Sequence, residues 1–455
     1  MRFTKFGKAL SMGALSAGLV FGVTSCVQSY TVGFLYVTGT VTASTGSNGI
    51  ISGYKIDHNT GKLTAINGLP VSSGGANPVR AVLALGSRFV YVLNRGASAA
   101  GSGNCYGTST NECENANITE FAVGGNGVLT AQETFYTQGS NPFRMTLDST
   151  GNYLLVLDHD APSTALCSAM FSMTTCGDIT VFKIDSTTGR LTLVENTAES
   201  SSTASTVTYF PVPGDPVDFV LAGSTLLTLY GPPAIPNAYP YTGGTTVWPY
   251  TYSSGNGQLT VTSSGSQVLN TTQVPVTDAR ALVYSSSVLY VLDNDSGSTT
   301  YNNATTSYNS KIIPYQLSNN TLSIEPSGII PDSPTLGNPI TLMVDAKSKY
   351  LYVANQGNQV TGNNPESGIA AYFITTSPSY QTSFVSGQPF GSGSGPQCIV
   401  EDPSDQFVFE VNQYDSTITG RVLDPDSGAL NDMRSTETYT LDGPPTWCLV
   451  DGRTS

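Results

Sequence analysis

Phe89-Val-Tyr-Val-Leu-Asn94 is a run of aromatic, β-branched and aliphatic residues closed by an amide, and the 455-residue chain repeats it. The other copies are Phe34-Leu-Tyr-Val-Thr-Gly39, Tyr153-Leu-Leu-Val-Leu-Asp158, Thr225-Leu-Leu-Thr-Leu-Tyr230, Val288-Leu-Tyr-Val-Leu-Asp293, Tyr350-Leu-Tyr-Val-Ala-Asn355 and Phe407-Val-Phe-Glu-Val-Asn412. Successive copies stand 55 to 72 residues apart. A fixed element recurring at such intervals marks a repeat architecture in which each unit is one supersecondary motif.

Working outward from the hexapeptide, each copy sits in a constant frame. Before it comes a short apolar segment opened by a turn, as in Asn77-Pro-Val-Arg80, Asn141-Pro-Phe-Arg144, Asp215-Pro-Val-Asp218 and Asn338-Pro-Ile-Thr341. After it come a polar loop and an alternating strand, as in Ile118-Thr-Glu-Phe-Ala-Val123, Ile179-Thr-Val-Phe-Lys-Ile184 and Ile369-Ala-Ala-Tyr-Phe-Ile374. A tight turn follows, as in Asp57-His-Asn-Thr-Gly61, Asp185-Ser-Thr-Thr-Gly189 and Asp424-Pro-Asp-Ser-Gly428, where glycine supplies the positive φ that hairpins need. A fourth strand is expected to start at the Leu two residues later. No stretch keeps a helical period. Four antiparallel strands per repeat, seven times over, predict an all-β seven-bladed β-propeller. The first hexapeptide lacks a preceding inner strand, and Thr446-Trp-Cys-Leu-Val-Asp451 is an inner strand with no hexapeptide after it. One blade is therefore expected to be closed by both ends of the chain, leaving no open sheet edge around the ring.

The propeller is expected over residues 34–455, after a signal peptide at 1–25 and a tether at 26–33. Arg2, Lys5 and Lys8 precede an apolar run, Ala9 to Val23, which is too short to span a bilayer comfortably. Val23-Thr-Ser-Cys26 then resembles a bacterial lipobox, which makes Cys26 the expected lipidation site and a cell envelope the expected location, the outer membrane where one exists. Removing residues 1–25 leaves 15 basic against 32 acidic residues, a net charge of −17. That charge, with no basic stripe, argues against nucleic acid as a partner. Of seven cysteines, six remain beside Cys26, an even number suited to an oxidising compartment. Spacing pairs Cys105 with Cys113 and Cys167 with Cys176, leaving Cys398 and Cys448 as a long-range pair on inner strands of adjacent blades. Zinc is the rival reading of clustered cysteines; without C-x₂-C spacing, and with two histidines in all, no metal is expected. Asp293-Asn-Asp295-Ser-Gly297 opens like a calcium loop but reaches Ala304 where a bidentate Glu is needed.

Antiparallel order places the starts of the inner strands and the ends of the hexapeptides on one face of the ring. The longest loops, 95–117, 159–178, 231–246, 294–311 and 356–368, project from that face, the usual place for binding on a rigid scaffold. Arg80, Arg144 and Arg280 are expected at equivalent inner-strand positions near the central channel, with Arg95, Asp158, Asp160, Asp293 and Asn355 closing neighbouring strands. Converging guanidinium groups suit a small anionic ligand, because they bind carboxylate or phosphate through paired N–H groups. The competing reading is that each Arg pairs with an Asp of the next blade and ties the ring together. His159, between Asp158 and Asp160, is a candidate general base, against the plainer reading of a solvated loop histidine.

The frame Asn-Pro-x-Arg, then Tyr-Leu-Tyr-Val-Ala-Asn, then Ile-x-x-Tyr-x-Ile-Asp-x-x-Thr-Gly-x-Leu resembles the seven-bladed lactonase family, which includes the propeller type of 6-phosphogluconolactonase and cycloisomerase-like relatives. The resemblance runs over about residues 34–451. It implies Arg and His side chains at the channel mouth, often as an Arg-His pair; here Ala81, Met145 and Ala281 follow the arginines. Two functions are expected from different classes. One is lactone or ester hydrolysis, with Arg80, Arg144 and Arg280 polarising the carbonyl and His159 or an Asp activating water. The other is a non-catalytic surface propeller that holds a glycan, peptide or protein partner on its loop face. Neither implies a cofactor, and a monomer is expected.

Overall fold

The computed structural model describes residues 30–41, 48–84, 86, 88–98, 113–203, 205–231, 244–269, 271, 274–294, 310–331, 337–357, 367–434 and 437–452. Within them lie seven antiparallel sheets arranged as blades; in blades 2 to 7 the strands follow chain order from the inside outward, while blade 1 takes its inner strand from the last strand of the chain. Blade 2 shows the plan: Pro78–Ala84, Phe89–Asn94, Asn117–Val123 and Leu129–Phe135. In blades 1, 3, 4 and 7 the outer strand is split into two pieces that pair with the same third strand, as with Leu63–Ala65 and Val71–Ala76 against Asn48–Asp57 in blade 1. The hexapeptides are the second strands, and in blades 2 to 7 all six residues of each are buried. This is why they read as near-continuous apolar runs. A second strand has a neighbouring blade against both faces, so neither face needs polar residues.

Adjacent blades are joined by a recurring contact that uses the first and third hexapeptide positions. The aromatic ring at position one packs on the turn glycine of the next blade. A Cβ on Gly61 would lie 2.5 Å from the Phe407 ring, and one on Gly189 would lie 2.6 Å from the Phe89 ring. The tyrosine at position three reaches a carbonyl of the same turn: Tyr36 donates to Gly127 O at 2.7 Å, Tyr352 to Gly428 O at 2.9 Å, and Tyr91 to Gly189 O. On the far face, the hairpin between inner and second strands is held by an aspartate. Asp148 Oδ1 accepts the N–H groups of Asn152 and Tyr153, Asp345 those of Lys349 and Tyr350, and Asp402 those of Gln406 and Phe407.

The ring closes as the sequence predicts. Thr31–Thr40 pairs with Pro445–Asp451, so blade 1 takes its inner strand from residues 445–451 and its outer strands from residues 31–76. Cys398 and Cys448 form a disulfide between blades 7 and 1, with Cα atoms 5.8 Å apart.

Candidate functional site

Every inner strand begins with the same irregularity. In blade 2, Pro78 faces Asn94 and Arg80 faces Leu93, so Val79 is an extra residue bulged out of the ladder. The same shift occurs in the other six blades. A bulge turns the strand and re-aims the side chain that follows it. Here the following residues hold one equivalent level of the inner strands: Trp447, Arg80, Arg144, Asp218, Ala281 and Thr341, which form a layer around the channel, and Cys398 of blade 7, which is buried in its disulfide.

This layer corrects one sequence expectation. Arg280 is the bulged residue of blade 5, equivalent to Val79 and Phe143, and Ala281 holds the position of Arg80 and Arg144. The frame of blade 5 is Asp278-Ala-Arg280-Ala281, and aligning Asp278 with Asn77 and Asp215 exposes the offset. Arg280 accordingly folds back on its own strand. Its Nε and Nη2 donate to both oxygens of Asp278 at 2.7–3.1 Å.

The channel holds a cavity of about 470 Å³ whose lining includes Arg80, Arg144, Asp218, Thr341 and Trp447. The guanidinium carbon of Arg80 sits 3.8 Å above the centre of the Trp447 ring, a cation–π stack, while Nη1 donates to the carbonyl of Val79 at 2.7 Å. Arg144 reaches the next blade, its Nε 3.0 Å from Asp218 Oδ1. Asp218 Oδ2 accepts the backbone N–H of Leu282 in blade 5 at 2.9 Å, so three blades are tied through one carboxylate. Asp218 and Trp447 were absent from the sequence-based site. The signal for Asp218 was present, since Asp215-Pro-Val-Asp218 repeats the frame that places Arg80 and Arg144.

Above this layer, at the rim of blades 3 and 4, lies a second polar cluster. His159 Nδ1 is 2.9 Å from Asp160 Oδ1, and its Nε2 is 3.8 Å from Asp215 Oδ1. Asn141 donates to the other Asp160 oxygen at 2.7 Å. Burial disfavours the Asp160 anion, but the bond and charge of His159, with Asn141 and Arg95, outweigh it and hold this carboxyl below its ordinary value. The Phe143 ring separates this cluster from the channel layer, 6.5 Å from the His159 ring and 5.5 Å from the Arg144 guanidinium carbon. His159 thus does lie between two carboxylates. The second is Asp215 of blade 4 rather than Asp158, because strand alternation turns Asp158 the other way.

Asp158 is fully buried in the body of blade 3, where Thr137 donates to it at 2.7 Å. Directly across the ladder stands Asp178, also fully buried, and the Thr180 hydroxyl lies 3.2 Å from an oxygen of each. Burial, and for Asp178 the facing Asp158, push both carboxyls well above the ordinary range. Arg95 is buried at the blade 2 rim. Asp293 is buried and paired with Lys311 Nζ at 3.0 Å, and it accepts the N–H of Asp278 at 2.8 Å. Asn355 is buried and donates to the carbonyls of Val353 and Gly368. These residues close their strands where the sequence places them, but Asp158, Asp293 and Asn355 serve their own sheets.

Of the long loops on this face, 159–178 is described in full. It contains the helix Thr164–Phe171 and the disulfide Cys167–Cys176. Cys113 is disulfide-bonded; Cys105, Asp295 and Cys26 lie outside the described residues. Among the described residues no group of three or more His, Cys, Asp or Glu side chains is placed to hold a metal, and no helix is long and apolar enough to cross a membrane.

Residues 47–208, from blade 1 through blade 3, match the family model described as "Lactonase, 7-bladed beta-propeller". No curated protein sequence matches the chain at a significant level. Among solved structures, the fold is similar to a Pseudomonas aeruginosa periplasmic gluconolactonase, with TM-score 0.62, 17% identity, and coverage of 91% of this chain and 99% of that one. A Bacteroides fragilis protein provisionally named a 6-phosphogluconolactonase gives TM-score 0.62 at 15% identity, covering 92% and 98%. A hypothetical selenium-binding protein of Sulfolobus tokodaii gives 0.60 at 10% identity, covering 94% and 95%. At such identities the likeness speaks for the fold. The chain is thus a seven-bladed β-propeller whose first three blades carry the sequence pattern of the lactonase propeller family.

Proposed function

We propose that this chain is a lactonase-type hydrolase acting at the loop-face end of its channel. The observation that carries the reading is that His159 with Asp160, at the rim of blades 3 and 4, stands across the Phe143 ring from Arg144 of the channel layer, which also holds Arg80, all inside the segment that matches the lactonase family. In this reading Asp160 orients the His159 ring, and His159 takes a proton from water as the water oxygen adds to the lactone carbonyl carbon. The ring C–O bond then breaks, and the ring oxygen leaves as a hydroxyl after accepting that proton. The product is a hydroxycarboxylate, held by the guanidinium groups of the channel layer. The test is acid release from a panel of aliphatic and sugar lactones. His159→Ala is expected to lower kcat about a hundredfold or more with an unchanged thermal melt, and Arg144→Ala to lower kcat/KM. Equal rates for both variants and wild type would overturn the assignment.

A second reading has its own support. Arg144 is matched by Asp218 of the next blade, as expected of a ring whose arginines serve as ties, and Arg280 is neutralised by Asp278 of its own blade. On that reading the loop face binds a glycan, peptide or protein without turnover, and no lactone in the panel is hydrolysed above the buffer rate.

The proposal extends to location. The basic start, the short apolar run and Cys26 support export and a lipid anchor in the cell envelope, and the disulfides Cys167–Cys176 and Cys398–Cys448 fit an oxidising compartment. Cys26→Ser is expected to abolish palmitate labelling and release the protein from membranes. Undiminished labelling would remove the anchor.

A further inference from the structure

The charged layer accounts for only one end of the central cavity. Beyond it, further along the inner strands, the lining is apolar. Val82, Val220 and Val283 stand two residues past the layer of Arg80, Asp218 and Ala281, and Leu147 and Leu221 continue the wall of blades 3 and 4. All five remain partly exposed, whereas the hexapeptide strands behind them are sealed. The lining extends to Ser149 and Gly223, in hairpins on the opposite face, so the cavity follows the length of the inner strands. From the Arg80 position to that of Ala84 is four residues of strand, or about 13 Å.

Side chains of this kind fill the interior of a small closed sheet when it serves only to close the ring. Here about 470 Å³ is left beside them, within the range of roughly 300–1,000 Å³ usual for small-molecule sites. The charged side chains of the lining are Arg80 and Arg144 against Asp218, a net charge of +1, in a chain whose overall charge is −14. Below the charged layer, blade 3 offers the hydroxyls of Thr146 and, at the far end, Ser149 as the polar exceptions among Val and Leu side chains. A polyhydroxylated ring placed there would leave most of its hydroxyls without partners, which is costly away from water.

We propose that the channel is a site for an amphiphile with a single carboxylate head and an unbranched aliphatic chain of medium length. The head lies against Arg80 and Arg144, and the chain lies along Val82, Val220, Val283, Leu147 and Leu221. For turnover this rests on the lactonase reading and names its substrate class: a neutral aliphatic lactone, whose hydroxycarboxylate product carries the one negative charge that the lining balances. For binding it needs no turnover.

The test is isothermal titration of the folded protein with hexanoate, octanoate and decanoate below their micellar concentrations. Affinity is expected to rise about tenfold for each two methylenes, as burial of the added CH₂ groups dictates. Decyltrimethylammonium, with the same tail and the opposite charge, is expected to bind at least tenfold more weakly than decanoate, and gluconate at least a hundredfold more weakly. Affinity independent of chain length, or gluconate binding as well as decanoate, would overturn the proposal. Val220→Asp is expected to abolish decanoate binding. Should that variant fail to fold, Thr146→Val, which extends the apolar wall, is expected to tighten decanoate severalfold, and unchanged or weaker binding would count against the site. The two readings separate cleanly. Sugar-lactone turnover without chain-length-dependent binding sinks the amphiphile site alone; chain-dependent binding without turnover of any lactone sinks the hydrolase alone.

Discussion

Asp158 and Asp178 show how a single residue pair departs from its repeat. The last hexapeptide position faces the start of the third strand in each blade, and the occupants are Asn94 with Asn117, Asp293 with Lys311, Asn355 with Gly368, and Asn412 with Thr417. Those combinations are neutral or oppositely charged. Blade 3 alone among these sets two carboxylates face to face, and Asp178 Oδ1 has no hydrogen-bond partner. Like charges at that separation in a buried site cannot both ionise without large cost, so the pair retains a proton near neutral pH. Asp160 adds further negative charge to both, and Asp178 in turn helps raise the Tyr209 phenol; burial pushes Asp158 up to about 8. The sign follows from proton counting. Between the unfolded carboxylate value near 4 and the native value near 8 the folded state binds more protons, so stability falls as pH rises through that window. Fully buried Glu410 is likewise pushed up to about 8 and adds to the same slope. Melting temperature is therefore expected to be higher at pH 5.5 than at pH 8. Asp178→Asn, which restores an amide partner like that of blade 2, is expected to stabilise the protein at pH 8 by on the order of 1 kcal/mol or more and to flatten the pH dependence. A melting curve for the variant with the wild-type slope would contradict the shared proton.

At the scale of the element, the outer turn and the hexapeptide of the preceding blade behave as one unit. Gly61, Gly127, Gly189, Gly257 and Gly428 all have positive φ, and a Cβ on each would run into the position-one aromatic of the blade before. The two hexapeptides that start without an aromatic confirm the coupling. Thr225 is followed by a blade whose outer turn is Asn319-Asn320, and the Thr225 hydroxyl bonds the Asn320 side chain. Val288 is followed by the outer turn of blade 6, residues 375–381, which contains no glycine. Gly189→Ala is expected to cost roughly 2–4 kcal/mol, combining left-handed strain with overpacking against Phe89. Gly223 has a similar φ of +65° but open space where a Cβ would go, so Gly223→Ala is expected to cost only the backbone part, about 1 kcal/mol. Denaturant midpoints measure both; equal losses would show that the ring contact contributes nothing.

For the whole molecule, stability depends on keeping the last blade joined to the first. That seam is held by six residue pairs between strands Thr31–Thr40 and Pro445–Asp451 and by Phe407 on Gly61, and it is clasped by Cys398–Cys448 across 50 residues of chain. Replacing both cysteines with alanine is expected to lower stability by about 2–4 kcal/mol through the freer unfolded chain, with early loss of protection in amide exchange at strands Thr31–Thr40 and Pro445–Asp451. Uniform loss across all blades would argue against a seam. The seven second strands, the turn glycines and the shared blade were legible in the sequence, because period-two patterning and positive-φ turns are local properties that recur at a fixed interval. The common rim was legible too, since antiparallel order follows from chain order. The partners at that rim were not. An inner-strand bulge counts one residue out of register, so Arg280 lands beside its own Asp278 while Arg80 and Arg144 line the channel. Arg144 meeting Asp218, Arg80 stacking on Trp447, and His159 approaching Asp215 all join different blades. Such contacts depend on how far one blade is rotated from the next around the axis, and that rotation is set by packing between whole sheets, which no single strand encodes.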